Sequence, residues 1–204
     1  DALTPYVDGE WHHAAQSVRI FEVLEPLNLT WEVRDGIRAH SWKIDPPPET
    51  PEGYCCRFAD RIAYLTHDVE DAVRAGVIVF DDLPQIAIDT FGPPGSQWIE
   101  SMIDAVVDES VRTGEVVMAP AALEAMHELR DFMFERVYLR SAVEDQRERA
   151  ITIIRALVDH YIEHPEEVPE TYVSDDAETV GRAIDYVSGM TDRFAIRDWE
   201  RITP

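Results

Sequence analysis

Apolar residues recur every three or four positions along nearly the whole chain, the spacing that gives a helix one buried face. In "WHHAAQSVRIFEVLEPL" they fall at Val18, Phe21, Val23, Leu24 and Leu27, and Pro26 closes the segment. "TWEVRDGIRAHSW" repeats the pattern behind Thr30, a residue suited to the N-cap. The consecutive prolines of "KIDPPPETPEG" cannot lie inside a helix. Thr50, Pro51 and Glu52 then read as N-cap, N1 proline and first-turn acid, so a new helix is expected from Pro51 onward. "GPPGS" breaks the chain at 92–96, and "QWIESMIDAVVDESVRTG" and "APAALEAMHELRDFMFERVYLR" resume helical spacing. Ser141 with Glu144, and Asp175 with Glu178, fit capping boxes ahead of the last helices. No segment alternates as a strand would. The expectation is an all-α protein of about eight helices, a single helical unit over residues 1–204, without internal repeat or low-complexity linker.

The stretch "RFADRIAYLTHDVEDA", residues 57–72, carries the densest chemistry. At about 100° per residue, Asp60, Tyr64, His67 and Asp71 share one helical face, with Asp68 about 80° from Asp60. Phe58, Ile62, Leu65 and Val69 form the opposite, apolar face at spacings of four, three and four. Carboxylates on a helix that is anchored in a core suit a cation, because several oxygens on a rigid scaffold can share its charge. A solvated acidic face is the commoner outcome of such a run. The His67-Asp68 dipeptide is weak evidence for a metal motif, since a chain with 41 acids and 7 His produces one by accident. Periodicity leaves both readings open.

Charge narrows the partners. A formal charge of -23 repels a phosphate backbone over most of the surface, which argues against broad nucleic-acid binding and against docking on anionic membrane. A small anion remains compatible, because a few Arg converging in one pocket outweigh distant acids that salt screens within roughly 10 Å. Cys55 and Cys56 are adjacent, which suits neither a disulfide framework nor a CxxC clip, so a reducing cytoplasm fits best. No run of 18 or more apolar residues appears. The chain opens "DALTPYV", without Met and with helix-like spacing at once, as if entered partway through a domain.

Five blocks in fixed order, "WHHAAQSVR", "LNLTWEVRDGIRAH", "FADRIAYLTHDVEDAVRAGVI", "LRDFMFERVY" and "DYVSGMTDRFA", resemble the deoxyguanosine-triphosphate triphosphohydrolase family of the HD-domain superfamily. The resemblance runs over almost the whole chain. It implies an all-α, HD-domain-like multi-helix bundle that cleaves a deoxynucleoside triphosphate to deoxynucleoside and triphosphate with a divalent metal ion such as Mg or Mn. It also implies a cytoplasmic homo-oligomer. In that family the metal is held by a His, an adjacent His-Asp pair and a final Asp in the block written here "ADRIAY". Only the last has a counterpart here, Asp60, which leaves His67-Asp68 outside the metal set. By the same resemblance Tyr64 lies against the sugar and Asp68 accepts its 3′-hydroxyl. Arg61 and Arg130 match residues that contact the triphosphate, Tyr138 matches a ring near the base or sugar, and His13 matches an active-site histidine. These residue types suit those tasks: Arg presents a rigid fork of donors to phosphate oxygens, and His can relay a proton.

The departure from the family pattern is at the amino end. The first His ligand, the His-Asp pair, and a nearby His and acid thought to serve catalysis precede the point where this sequence begins. One carboxylate cannot hold a catalytic divalent ion well, so the chain as it stands is expected to be nearly inactive alone. Three readings follow: part of a longer triphosphohydrolase, a catalytically incomplete nucleotide-binding or assembly module, or an HD hydrolase of another phosphorylated metabolite.

Overall fold

The computed structural model describes residues 2–139, 141–172 and 178–203, with the side chains of 141–143 outside that description. Nine α-helices and no strand occur among the described residues, in agreement with the all-α expectation. They are α1 (His13–Arg19), α2 (Trp31–Ala39), α3 (Pro51–Arg74), α4 (Gln85–Phe91), α5 (Gln97–Thr113), α6 (Pro120–Met133), α7 (Ser141–Glu163), α8 (Thr179–Ser188) and α9 (Asp192–Ile202). No helix is long and apolar enough to cross a membrane among the described residues. The chain forms two compact units, Thr30–Glu144 and Asp1–Leu29 with Asp145–Pro204.

In the first of these, α3 begins where its sequence dictates. The Thr50 hydroxyl accepts from the Gly53 amide at 3.1 Å, Pro51 occupies the first turn and Glu52 adds its charge at the positive end of the helix dipole. Gly53 is required by packing, since a Cβ there would meet Pro48 Cβ at 2.5 Å and lie close to Thr50 as well. α2 packs against α3 here, and a Cβ on Gly36 would make only an ordinary contact with Gly53 Cα at 3.6 Å. Phe58, Ile62, Leu65 and Val69 are all buried, as their spacing predicts, against Phe91 of α4, Trp98 and Met102 of α5, and Met126, Leu129 and Met133 of α6. Trp98 is therefore a core residue, and its indole N–H is satisfied by the Gly92 carbonyl at 2.8 Å.

Two expectations about the buried faces need correction. Val18, Phe21, Val23 and Leu24 are only partly buried and Leu27 is exposed, whereas Ala14 and Gln16 are the buried residues of α1. A π turn over Ile20–Leu24 follows Arg19 and changes the angular step per residue, so the phase assumed from a uniform helix is lost. In α2 the buried positions are Asp35 and Ala39, while Trp31 and Val33 are exposed. Thr30 stands at the N-cap of α2 without a side-chain bond to the backbone of the first turn. Of the two proposed capping boxes, the Ser141 side chain and Asp175 lie outside the described residues, and Glu178 stands at the N-cap of α8 without a side-chain cap bond.

Asp35 is a buried carboxylate with a full set of partners. It accepts from the Glu49 amide at 2.7 Å and from Arg38 Nη2 at 2.7 Å, tying α2 to the segment that leads into α3. Burial alone would raise its pKa, but the Glu49 amide and Arg38 outweigh that and hold it below the usual carboxylate range. A depressed native pKa means that this contribution to stability is complete above the unfolded value near 3.9 and is lost as pH falls through the native one. Urea midpoints of Asp35→Asn should therefore vary less than wild type below about pH 4. Parallel pH profiles for the two proteins would show that Asp35 has no such role.

The second unit has its own core of Leu3, Ile153, Leu157, Val158, Tyr161, Val168, Ala183, Ile184 and Val187. Two buried carboxylates organise it. Asp185 binds Gln16 and Arg19 of α1, and Asp198 accepts from Tyr161 and from Arg201 Nε at 2.8 Å. Burial, followed by the bond to Asp198, pushes the Tyr161 phenol well above its ordinary pKa, so it remains a donor.

Candidate functional site

The polar face of α3 meets α6 and the chain that follows it. Past Met133 the helix widens into a π turn over Phe134–Tyr138, closed by the Leu139 amide on the Phe134 carbonyl at 3.1 Å. Such turns insert a residue without ending the helix and are frequent at functional sites. Here the turn carries Tyr138, whose hydroxyl donates to Asp68 Oδ2 on α3. Burial, then the bond to Asp68, raises the Tyr138 pKa far above that of an ordinary phenol, so Tyr138 acts as a donor at any physiological pH.

Aromatic contacts connect this pair with the cations. The Tyr64 and Tyr138 rings lie 5.8 Å apart at 30°, Phe134 meets Tyr138 edge-on at 5.3 Å, and the Arg130 guanidinium sits 4.7 Å over Phe134. Tyr64 is 41% exposed. Its phenol is shifted upward, chiefly by burial of the hydroxyl end.

Arg61 and Arg130 line one cavity of about 300 Å³ together with Trp42, Lys43, His127 and Asp131. The Arg61 guanidinium stacks 4.8 Å over the Trp42 ring. Burial and the neighbouring charge of Arg130 both lower the Arg61 pKa, the mark of a cation pressed against another cation. Arg130 Nη1 is paired with Asp131 at 2.7 Å, whereas Arg61 has no carboxylate at ion-pair distance among the described residues.

Five of the seven residues singled out in the sequence thus share one face of the Thr30–Glu144 unit: Arg61, Tyr64, Asp68, Arg130 and Tyr138. Asp60 lies beside Arg61 on α3 with its side chain exposed and partly offsets the Arg61 shift. His13 belongs to the other unit, in the first turn of α1, exposed, with its ring stacked on His12 at 4.5 Å. His67 is exposed. No group of three or more His, Cys, Asp or Glu is placed to hold a metal ion among the described residues. One carboxylate, Asp60, does not by itself fit a divalent ion.

Sequence reasoning missed Trp42, Lys43 and His127. His127 was within reach, because it precedes Arg130 by three positions on α6 and so had to share its face. Trp42 closes the stretch that continues the helical spacing, but α2 ends at Ala39, and Trp42 and Lys43 sit on irregular chain before the proline run.

Residues 116–201 match the family model described as a phosphohydrolase-associated domain. The chain is also similar over nearly its whole length to curated proteins named deoxyguanosinetriphosphate triphosphohydrolase-like protein. The one from Caldanaerobacter subterraneus subsp. tengcongensis is 36% identical over 99% of this chain, which covers 61% of that protein. The one from Clostridium perfringens strain 13 is 35% identical over 99% of this chain and 63% of its own length. A third, from Desulfatibacillum aliphaticivorans, is 32% identical over 95% of this chain and 62% of its own length. The chain therefore spans less than two thirds of the length of each of these three relatives.

Proposed function

From its similarity to the deoxyguanosinetriphosphate triphosphohydrolase-like proteins, we propose that this chain is the nucleotide-binding part of a metal-dependent phosphohydrolase that splits a deoxynucleoside triphosphate into deoxynucleoside and triphosphate. The observation that carries this reading is the division of one face into two chemistries. Arg61 and Arg130 supply positive charge in a cavity, while Tyr64, Tyr138 and Asp68 supply a partly exposed ring and hydrogen-bonding groups on the same face. A triphosphate and a sugar need that pair of surroundings.

In this reading Arg61 and Arg130 neutralise charge on the triphosphate, and a fork already stacked on an aromatic ring loses little freedom on binding. Tyr64 packs against the deoxyribose and Asp68 accepts its 3′-hydroxyl, with Tyr138 near the base or sugar. The proton-relay role of His13, which lies in the other unit, rests on the family resemblance alone. A divalent ion such as Mg or Mn, when bound, would activate a water and polarise a phosphate oxygen. It would take Asp60 as one ligand, and no group of three or more His, Cys, Asp or Glu is placed to complete the set among the described residues. Cytoplasmic location and assembly into a homo-oligomer belong to the same reading.

The experiment is incubation of the purified chain with each of the four deoxynucleoside triphosphates and manganese, with separation of the products by anion exchange. Intact tripolyphosphate beside free deoxynucleoside is the expected product pair wherever the complete ligand set is present. Stepwise release of orthophosphate would favour a hydrolase of another phosphorylated metabolite. The absence of any three-residue metal cluster among the described residues supports a second reading, a nucleotide-binding module without catalysis. It predicts saturable binding of deoxynucleoside triphosphate in equilibrium dialysis with no product. Neither binding nor product would overturn both.

A further inference from the structure

Trp42, Lys43 and His127 have no role in the proposal above, yet they complete the cavity that holds its two arginines. The chain has 18 Lys and Arg against 41 Asp and Glu, but this cavity inverts the balance: Lys43, Arg61 and Arg130 face it with Asp131 as its single acid. Asp131 is already engaged with Arg130. Lys43, like Arg61, has no carboxylate at ion-pair distance among the described residues. Asp60 acts on Arg61 and Asp131 pairs with Arg130, so the three cations around the cavity still exceed their acids, a positive excess that an anion from outside the protein offsets.

Trp42 is the part that sets their geometry. Its indole N–H donates to the Arg57 carbonyl on α3 at 2.8 Å, and its ring meets Phe58 edge-on at 5.4 Å. Arg57 returns the hold on this segment, donating to the carbonyls of Ala39 at 2.9 Å and of Ile44 at 3.3 Å. The ring so fixed carries the Arg61 guanidinium at 4.8 Å and has His127 edge-on at 6.0 Å. Side chains from α3, from α6 and from the segment before the prolines are thus arranged around one indole.

We infer that Lys43 and His127 are phosphate-contacting residues and Trp42 a positioning residue, so that this cavity takes a linear triphosphate in preference to shorter phosphates. The inference rests on the phosphate role proposed for Arg61 and Arg130. Four donor-bearing side chains of different reach match an anion with charge spread along a chain, whereas orthophosphate can engage only part of the set. A volume of about 300 Å³ admits such a ligand with some of its water.

The test is isothermal titration of the metal-free chain with inorganic tripolyphosphate, pyrophosphate and orthophosphate at several salt concentrations. Affinity is expected to fall in that order. Lys43→Ala should weaken tripolyphosphate about ten- to a hundredfold, the span for one hydrogen bond to a charged group. His127→Ala should weaken it about two- to tenfold. Lys43→Ala should also flatten the salt dependence, because a charge has been removed. Trp42→Leu should weaken binding with the salt dependence unchanged, and Trp42→Phe should restore part of the loss, which a merely structural change would not do. Arg74→Ala, an exposed site remote in sequence from these residues, is the control for general charge. Thermal melts of each variant identify any that fails to fold, and such a variant is replaced by Lys43→Gln or His127→Gln. Wild-type affinity in the Lys43 and His127 variants, with loss in Arg61→Ala and Arg130→Ala, would overturn the inference and leave the phosphate role of the arginines standing. No binding by the wild type, or indifference of the arginine variants as well, would overturn that role together with the inference.

Discussion

Asp185→Ala is expected to lower the unfolding free energy by about 3–5 kcal/mol, the range for removing one partner of a buried charge pair. The carboxylate is 1% exposed and accepts from three donors on α1: Gln16 Nε2 at 2.7 Å, Arg19 Nε at 2.9 Å and Arg19 Nη2 at 2.8 Å. Truncation strips Arg19 of a bidentate acceptor and leaves the buried Gln16 amide facing a space its donor cannot fill. Since whole proteins of this kind are stable by about 5–15 kcal/mol, the variant should sit near the edge of folding. Urea denaturation gives the magnitude, and hydrogen exchange should place the loss in α1 and α8. Asp185→Asn should fall between, because it keeps one acceptor oxygen but turns an amide donor toward Arg19. A change of less than about 1 kcal/mol in the alanine variant would mean that apolar packing, not this carboxylate, holds α8 to α1.

Asp185 also shows which parts of the fold the sequence made legible. α3 could be read in full because its cap, its N1 proline and its apolar face all point the same way, and a regular helix preserves that phase for its whole length. α1 could not, because the π turn after Arg19 breaks the uniform step on which any periodicity argument depends. Buried Asp35 and Asp185 escaped for a different reason. A lone acid in an amphipathic pattern looks solvated until its partners are known, and Arg19 is 166 positions from Asp185. The site divides along the same line. Spacing alone put Asp60 and Tyr64 on one face of α3, together with His67 and Asp71, whereas Arg61, Asp68 and Tyr138 were found through family resemblance, and Tyr138 reaches Asp68 across 70 positions. Trp42, which anchors the arginine cavity, closes a stretch with helical spacing, but α2 ends at Ala39 and the periodicity gave no sign of that site.

The second large effect is expected at the Tyr138–Asp68 pair, where stability and ligand binding can be separated. Asp68→Ala leaves a half-buried phenol without its acceptor and should cost about 1–3 kcal/mol. Tyr138→Phe keeps the ring contacts with Tyr64 and Phe134 and should cost about 1 kcal/mol. The double variant should lose less than the sum of the two, because each single change already breaks the same bond. Binding then asks a different question of the same carboxylate. If Asp68 accepts the 3′-hydroxyl of the sugar, Asp68→Ala should weaken a deoxynucleoside triphosphate about ten- to a hundredfold in equilibrium dialysis. A 2′,3′-dideoxynucleoside triphosphate lacks that hydroxyl and should bind the variant and the wild type alike. Equal losses for both ligands would mean that Asp68 acts only by holding Tyr138 in place, and Tyr138→Phe would then reproduce the loss. With Asp68 on the sugar, Tyr138→Phe should instead leave most of the discrimination between the two ligands intact, because the acceptor itself remains on α3.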